Sequence, residues 1–230
     1  MQSDRGRLRQ FLEINGNDLC LGGRGVASAS KTIQKDYIKK MNTTKIIGLC
    51  GTARSGKDTF FDFTKFLLKK GKPRCERVAF ADALKNDIEP FLRKKTGISA
   101  WTSDDKEKKI IRPILVAYGE AMREISEGKY WINKIKPKLD KNYQLGYLSV
   151  ITVVRYENEI SFLNDYNGSK CIYIDRIGTS PANSQEEDND KSLRDGASEV
   201  LEWRTFGEEE IYKCAPIVKS FLKKFKILEK

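Results

Sequence analysis

The residues with the clearest chemical signature lie between Gly51 and Lys57. They read Gly-Thr-Ala-Arg-Ser-Gly-Lys, which is the G-x-x-x-x-G-K spacing of a phosphate-binding loop. Glycines let backbone N–H groups converge on phosphate oxygens, and the N-terminus of a following helix adds roughly half a positive charge. The spacing therefore predicts a loop that binds the phosphates of a nucleotide through a defined set of residues, namely Gly51, Arg54, Ser55, Gly56, Lys57, Asp58 and Thr59.

One position departs from the general pattern of such loops. Asp58 follows Lys57 where a Ser or Thr usually holds Mg²⁺, and Thr59 comes next. Either Asp58 binds the metal, directly or through water, or Thr59 supplies the hydroxyl. A third reading is that Asp58 only stabilises the first turn of the helix. We expect ATP and Mg²⁺ as cofactors, with Asp58 and Thr59 as the candidate metal ligands.

The absence of histidine restricts the chemistry that the chain can perform. It removes the commonest general base, Ser-His and Cys-His nucleophile pairs, and histidine-ligated zinc. Five scattered cysteines with no C-x-x-C pair indicate neither a disulfide framework nor a zinc knuckle, and they fit a reducing, cytoplasmic location. No run of 18 apolar residues predicts a membrane span. Catalysis would therefore depend on carboxylates, Lys, Arg, backbone amides and a bound metal.

The charge balance favours an anionic ligand without identifying it. The chain has 43 Lys and Arg against 32 Asp and Glu, a formal net charge of +11. Such a surface attracts both nucleotides and nucleic acid. A lysine-rich, solvated surface with no special partner explains the same number equally well.

The pattern of elements predicts an α/β protein with a mostly parallel sheet. From Lys45 onward, short β-branched runs alternate with segments of helical periodicity. We predict strands at 45–50, 77–80, 149–154 and 170–174. We predict helices from about residue 60 to Gly71, at 83–95, at 105–127 with a bend or break near Pro113, from about Tyr130, and at the C-terminus. An apolar stripe identifies the last helix as packed rather than membrane-bound: Ile211, Cys214, Val218, Phe221, Leu222 and Phe225.

The domain organisation is one core with two less regular segments. Residues 1–44 have little apolar periodicity and read as a flexible N-terminal extension, while residues 45–230 form one domain. A transit peptide is a weaker explanation of 1–44, because the segment carries acidic residues. Residues 179–198 are polar, acidic and then basic, which is typical of a flexible flap. We therefore predict a mobile lid at about 177–198.

Taken together, Arg54-Ser-Gly-Lys-Asp-Thr59 resembles the bacteriophage deoxynucleoside monophosphate kinase family, in which a G-K-D form of the loop is typical. The resemblance extends over most of residues 45–228. It implies a three-layer P-loop kinase fold and Mg²⁺-dependent phosphoryl transfer from ATP to a (deoxy)nucleoside monophosphate. It also implies a homodimer, and catalytic roles for Lys57 and Asp58.

Two further segments carry the resemblance toward an acceptor site. Phe80-Ala-Asp-Ala-Leu-Lys85 is similar to the family's F-A-D-P-L-K segment, with Ala83 in place of Pro. This implies that Asp82 and Lys85 face the acceptor or the metal. A capping Asp and a solvated Lys are the structural alternative.

The second of these segments begins at Arg112. Arg112 to Glu120, followed by Tyr130-Trp-Ile132, is similar to the family's R-x-L-x-Q-x-L-G-T-E and F-W-V segments. The resemblance makes Arg112 a candidate for the acceptor phosphate, with Arg123 a weaker one. Trp131 is either a substrate contact or part of the core.

A third segment raises the question of the metal. Residues 153–159 are similar to the family's D-x-R-x-x-x-E motif, which implies catalytic and substrate roles for Arg155. Val153 replaces the first Asp of that motif. If this Asp normally positions Mg²⁺ through water, the chain must use Asp58, Asp82 or Asp175 instead, or it catalyses weakly.

The predicted lid also contains candidates. Asp175-Arg176 resembles the place where the family puts a lid arginine, so Arg176 is predicted to be catalytic, with Lys191 and Arg194 as further lid cations. Solvated loop charges explain the last two equally well. Ala197-Ser-Glu199 resembles the family's H-x-S-E segment without its His.

Three other functions are compatible with the same loop. A basic P-loop ATPase that binds nucleic acid would account for the charge, although no second motif for DNA translocation is present. A non-catalytic nucleotide sensor would account for Val153. A small-metabolite kinase of the phosphomevalonate or dephospho-coenzyme A type would share the loop chemistry but use another acceptor.

Overall fold

The computed structural model describes residues 44–69, 73–181 and 184–228, in which strands and helices alternate. The predicted extension at 1–44 lies outside these residues, apart from Thr44. The strands are β1 (Ile46–Cys50), β2 (Cys75–Val78), β3 (Leu148–Ile151), β4 (Ser169–Arg176) and β5 (Glu199–Trp203). The α-helices are α1 (Lys57–Leu68), α2 (Phe80–Thr96), α3 (Asp105–Ile125), α4 (Tyr130–Gln144), α5 (Glu157–Asp165), α6 (Ser184–Gly196) and α7 (Cys214–Lys224).

The five strands form one parallel sheet in the order β2-β3-β1-β4-β5. In the centre, Ile47 of β1 is in register with Val150 of β3 and with Lys170 of β4. Every residue of β1 is buried, as expected for a parallel strand covered on both faces. The predicted α/β class and parallel sheet are confirmed.

Helices cover both faces of the sheet, which gives three layers. On one face α1 and α7 pack against β1, β3, β4 and β5 around Phe60, Val218 and Leu222. On the other face α4, α5 and α6 pack through Trp131, Ile160 and Leu193. A smaller apolar cluster joins the C-terminal part of α2 to the N-terminal half of α3.

The predicted C-terminal helix is present and packed. Cys214, Val218, Leu222 and Phe225 are buried against α1 and the sheet. Ile211 is the exception, because it lies in a 3-10 helix (Glu208–Lys213) before α7 and is 41 % exposed. No helix of the described part of the chain combines the length and the apolar content that crossing a membrane requires.

The predicted ends of the second and third strands were wrong. The second strand was placed at 77–80, but it ends at Val78 and the buried Phe80 already begins α2. The third strand was predicted to reach residue 154, but it ends at Ile151. Beyond Ile151 the chain makes only isolated backbone hydrogen bonds to neighbouring strands, such as Val154 N–H to Leu49 O at 2.9 Å. The helix predicted to bend or divide near Pro113 does not divide, because α3 continues through that residue.

The segment predicted as a flexible flap contains a docked helix. Within it, α6 packs on α5, and its Leu193 is buried in the apolar cluster on that face of the sheet. Asp190 accepts a hydrogen bond from the Tyr173 hydroxyl at 2.5 Å, and Arg194 pairs with Asp175. The polar composition of this segment did not predict a packed helix, because it shows no apolar periodicity. The few contacts described above nevertheless attach α6 to the rest of the structure. Lid motion at 177–198 stays a prediction.

Candidate active site

The loop at residues 51–59, called the glycine loop below, directly follows the central strand β1 and leads into α1 at Lys57. Gly51, Arg54 and Gly56 have φ angles of 121°, 61° and 100°, so left-handed residues alternate with ordinary ones. Left-handed residues between right-handed ones are a feature of the backbone turns that bind anions. The first N–H groups of α1 lack partners within the helix and lie at the same end. The local geometry therefore suits a phosphate chain.

Two glycines of this loop are in positions where a side chain would clash with its surroundings. A Cβ at Gly51 would lie 2.3 Å from the Ile174 carbonyl oxygen, and one at Gly56 would lie 2.4 Å from the Trp203 ring. The Trp203 indole N–H donates to the Ser55 carbonyl at 2.7 Å, which fixes the ring beneath the loop. Strands β4 and β5 thus shape the loop from outside.

Lys57 folds back over the loop from the first turn of α1. Its ammonium group donates to the Gly51 carbonyl at 2.8 Å and the Thr52 carbonyl at 2.7 Å, with the Ser55 hydroxyl at 3.3 Å. The cation therefore lies beside the concave backbone rather than in bulk solvent. A phosphate in the loop would meet both the N–H groups and this charge.

Asp58 and Thr59, the two candidate magnesium ligands, occupy the same helical turn. Asp58 is exposed and Thr59 is half-buried, so a carboxylate and a hydroxyl are both available at the head of α1. Among the described residues, no group of three or more Cys, Asp or Glu side chains could hold a metal ion. Mg²⁺ commonly uses one or two protein oxygens together with substrate phosphates and water. These two residues suffice for such a site only when phosphate oxygens complete it.

Arg176 is the lid candidate that contacts the glycine loop. Its guanidinium group donates to the Arg54 carbonyl at 2.9 Å and to the Thr205 hydroxyl at 3.1 Å. The Thr52 and Thr179 hydroxyls, 3.0 Å apart, form a second link between the loop and the segment after β4.

The other two lid candidates lie elsewhere on α6. Lys191 is exposed, and Arg194 is engaged by Asp175 and, at 3.5 Å, by Glu202. The pairing with Arg194 also occupies Asp175, one of the residues considered as a replacement for the missing strand-end Asp. Arg194 thus has a structural role on the flank of β4.

A cavity of about 280 Å³ lies where β2 and β3 end, and it is called the strand-end cavity below. Its size is near the lower end of ligand pockets, about 300 Å³. Four of the five predicted substrate-binding residues line it: Lys85, Arg112, Trp131 and Arg155. The other lining residues are Phe80, Ala81, Leu84, Leu115, Val116, Gly119, Glu120, Arg123, Val153, Tyr156 and Glu159.

The topology of the sheet brings this cavity beside the glycine loop. Strand β3 lies between β2 and β1, and parallel strands put all three carboxyl ends at one edge. The chain after β1 enters a helix on one face, whereas the chain after the neighbouring β4 enters α6 on the other face. Such a switch point in an open α/β sheet is where ligands bind.

Asp82, the fifth predicted substrate residue, is not among the residues that line the cavity. Its carboxylate accepts from the Arg77 guanidinium at 2.6 Å, in the first turn of α2. Lys85, one turn later, does line the cavity, and its ammonium lies 4.9 Å from the Trp101 ring centre. Asp82 is therefore paired with Arg77 outside the cavity lining, whereas Lys85 belongs to the lining.

Trp131 forms a buried wall of the cavity. It is 1 % exposed, and its indole N–H donates to the Gly119 carbonyl at 3.1 Å. The rings of Tyr130 and Tyr118 pack edge-on against it, with centres 4.8 and 5.9 Å away. Trp131 is therefore a core residue, and the same ring also lines the cavity. A contact with the substrate stays a prediction.

Two residues for which sequence reasoning assigned no role, Tyr156 and Glu159, line the same cavity. The Arg123 guanidinium lies 3.8 Å from the Tyr156 ring centre. Glu159 is 2 % exposed and accepts from the Arg155 backbone N–H at 2.8 Å. Burial raises the pKa of the Glu159 carboxyl to about 7, against the opposing effects of backbone hydrogen bonds and of Arg123 and Arg155. The R-x-x-x-E spacing in the sequence pointed to Glu159, but the sequence did not show that this side chain is buried.

The end of β3 offers no carboxylate at the position where the motif expects one. Val153 lines the cavity with an apolar side chain. Next to it, the Thr152 hydroxyl is buried and has no hydrogen-bond partner. A metal held at this edge would therefore depend on the glycine-loop side, at Asp58 and Thr59.

Comparison with known proteins adds no family assignment to this geometry. Neither a scan against protein-family models nor a search of curated proteins gave a match to the chain. The assignment of a function therefore depends on the loop and the cavity themselves.

Proposed function

We propose that this protein transfers the γ-phosphate of ATP to a nucleoside monophosphate, giving ADP and a nucleoside diphosphate. One observation carries the proposal: a glycine loop with left-handed backbone at Gly51, Arg54 and Gly56 and a cavity lined by cations and aromatic rings lie at the same edge of a parallel sheet. Two phosphate-directed sites on neighbouring strand ends suit a reaction that joins two phosphorylated molecules.

The donor side is the glycine loop with Lys57. Its concave backbone and the head of α1 would bind the β and γ phosphates, and the ammonium group would neutralise charge there. Asp58 and Thr59 would hold Mg²⁺ against the phosphates, where the ion would neutralise charge that develops as the bond breaks. This arrangement supports ATP as the donor.

The acceptor side is the strand-end cavity. Lys85, Arg112 and Arg155 supply cations for one phosphate group, and Arg forms paired hydrogen bonds with phosphate oxygens. Phe80, Leu84 and Trp131 supply the apolar walls that a base requires. The cavity volume of about 280 Å³ is near the lower end of the range for small-ligand pockets.

The reaction needs positioning and charge neutralisation rather than a covalent intermediate. An ionised oxygen of the acceptor phosphate attacks the γ phosphorus of ATP. At the same time, the bond between the γ phosphorus and the oxygen that stays on ADP breaks. Arg176, fixed to the loop backbone at Arg54, is close to the donor side of this transfer. Closure of the 177–198 segment would exclude water and so prevent hydrolysis of ATP. A chain without histidine can therefore support this chemistry.

A nucleotide sensor is the second candidate, and Val153 is the observation that favours it. The cavity presents an apolar side chain where a carboxylate would help to place the metal. A sensor would bind ATP through the glycine loop without acceptor-dependent turnover.

The test is a coupled ADP-release assay of the full chain with ATP, Mg²⁺ and a panel of ribo- and deoxynucleoside monophosphates, with Lys57→Ala as the control. We expect ADP release that depends on at least one monophosphate and falls at least about 100-fold in Lys57→Ala, since an interaction with the transferred phosphate is lost. ATP binding without acceptor-dependent ADP would favour the sensor. ADP release stimulated by single-stranded DNA at low salt, and by no monophosphate, would favour the nucleic-acid-binding ATPase.

A further inference from the structure

Glu159 is the buried ionisable residue of the site for which the proposed reaction has no role. It lies in the first turn of α5 and is 2 % exposed, yet it lines the strand-end cavity. An isolated buried carboxyl group is costly unless specific partners satisfy it. A carboxyl group with a perturbed pKa in a cleft is a candidate for function.

The partner of this carboxylate is the backbone of the cavity wall. Glu159 Oε2 accepts from the Arg155 N–H at 2.8 Å, one residue before Tyr156, the N-cap of α5. A Glu at the third helical position commonly bonds the N–H of the N-cap residue itself and does so at the surface. Here the carboxylate, from a buried position, interacts with the N–H of the N-cap residue Tyr156 and also reaches one residue further back to the N–H of Arg155, so it fixes the turn that precedes the helix.

That turn carries two lining residues of the cavity. The side chains of Arg155 and Tyr156 both face it, and the Tyr156 ring lies under the Arg123 guanidinium from α3. The charged groups that face the carboxylate are Arg123 and Arg155, and Glu120 acts electrostatically on Tyr156 from α3. Glu159 is therefore attached to the acceptor side of the site through the backbone of residues 155 and 156.

We propose that Glu159 is a positioning residue for the acceptor: its carboxylate holds the turn at 155–156 so that Arg155 and Tyr156 face the bound monophosphate. This inference rests on the proposed function of the cavity. It assigns no proton transfer and no contact with the γ-phosphate to Glu159. Its effect is confined to the acceptor, because the hydrogen bond joins the end of β3 and not the glycine loop.

The test compares Glu159→Ala and Glu159→Gln with wild type in the ADP-release assay, measuring kcat and the KM of each substrate. Glu159→Ala removes the acceptor of the Arg155 N–H, so we expect the acceptor KM to rise about tenfold or more with the ATP KM unchanged. Glu159→Gln keeps an oxygen that accepts this bond, so we expect it to restore most of the acceptor affinity.

Glu89→Ala is the matched control. The Glu89 carboxylate also accepts a backbone N–H across a turn, from Ala100 at 2.6 Å, but the strand-end cavity does not include it. We expect this variant to keep both KM values of wild type. An equal rise of the acceptor KM in Glu89→Ala would show a general loss of rigidity and would overturn the positioning role.

Three results would contradict the inference alone. They are an unchanged acceptor KM in Glu159→Ala, a parallel rise of the ATP KM, and a Glu159→Gln variant as impaired as Glu159→Ala. A wild-type protein that releases no ADP with any monophosphate would overturn the proposed function, and this inference with it. An active wild type with an unaffected Glu159→Ala variant would overturn only the role of Glu159.

Discussion

At the scale of single residues, the glycine loop is shaped as much by its neighbours as by its own sequence. Gly56 has a φ of 100°, and Trp203 lies where its Cβ would be. The same ring holds the Ser55 carbonyl by a hydrogen bond. The loop therefore depends on one contact that no residue of the motif supplies.

Gly56→Ala should weaken phosphate binding and destabilise the protein. The left-handed backbone alone costs a residue with a Cβ about 1–2 kcal/mol, and the contact at 2.4 Å requires Trp203 to move. We expect a loss of more than about 2 kcal/mol in urea unfolding and a raised ATP KM.

Gly97→Ala controls for the backbone effect. Gly97 is also left-handed, with a φ of 72°, but no atom lies within 4 Å of its Cβ position. It should lose about 1–2 kcal/mol and keep the ATP KM of wild type. Equal effects of the two variants on ATP would contradict a role for the Trp203 contact.

At the scale of elements, helix α3 provides one side of the strand-end cavity. It begins with a good cap, because the Asp104 carboxylate accepts from the N–H groups of Lys106 and Glu107, both at 2.9 Å. From that start the helix runs unbroken past Pro113 and brings Arg112 and Arg123, three turns apart, to the same cavity. The continuity of α3 thus determines which cations meet there.

Arg112→Ala should affect the acceptor and not the donor. Removal of a charged hydrogen-bond donor to phosphate costs about 1.5–3 kcal/mol, so we expect the acceptor KM to rise about 10- to 100-fold with the ATP KM unchanged. Lys109→Ala, on the same helix but outside the cavity lining, should leave both KM values unchanged. A rise of the ATP KM in Arg112→Ala would place Arg112 on the donor side instead.

At the scale of the whole molecule, the order of strands concentrates the candidate residues at one edge. The glycine loop follows β1, the cavity follows β2 and β3, and Arg176 ends β4. A net charge of +11 adds a general attraction for anions but does not decide where they bind. Binding should therefore be localised at this edge and should depend on particular residues rather than on total charge.

Thermal unfolding tests that localisation. ATP with Mg²⁺ at about 100 times its Kd should stabilise the protein by about 2.7 kcal/mol, equivalent to about 5–10 °C in Tm for a chain of this size. Lys57→Ala should show little or no shift at the same ATP concentration, and chelation of Mg²⁺ should reduce the shift of wild type. An undiminished shift in Lys57→Ala would mean that ATP binds elsewhere on the basic surface.

The sequence by itself determined the features that depend on local physics. Strand runs alternating with helical periodicity predicted the parallel α/β class, and the G-x-x-x-x-G-K spacing predicted a loop between β1 and α1. The family resemblance also grouped Lys85, Arg112, Trp131 and Arg155 with Asp82, and the first four line one cavity. Strand ends and the helix α6 were less predictable, because they depend on packing against the sheet.

Only the tertiary structure decided which distant residues meet. Trp203 reaches Ser55 across 148 positions of the chain, and no local pattern records that contact. The same is true of the burial of Glu159, which places this carboxyl group in the lining of the cavity. Local periodicity specifies which face of an element is apolar, whereas the order of the strands specifies which side chains share an edge.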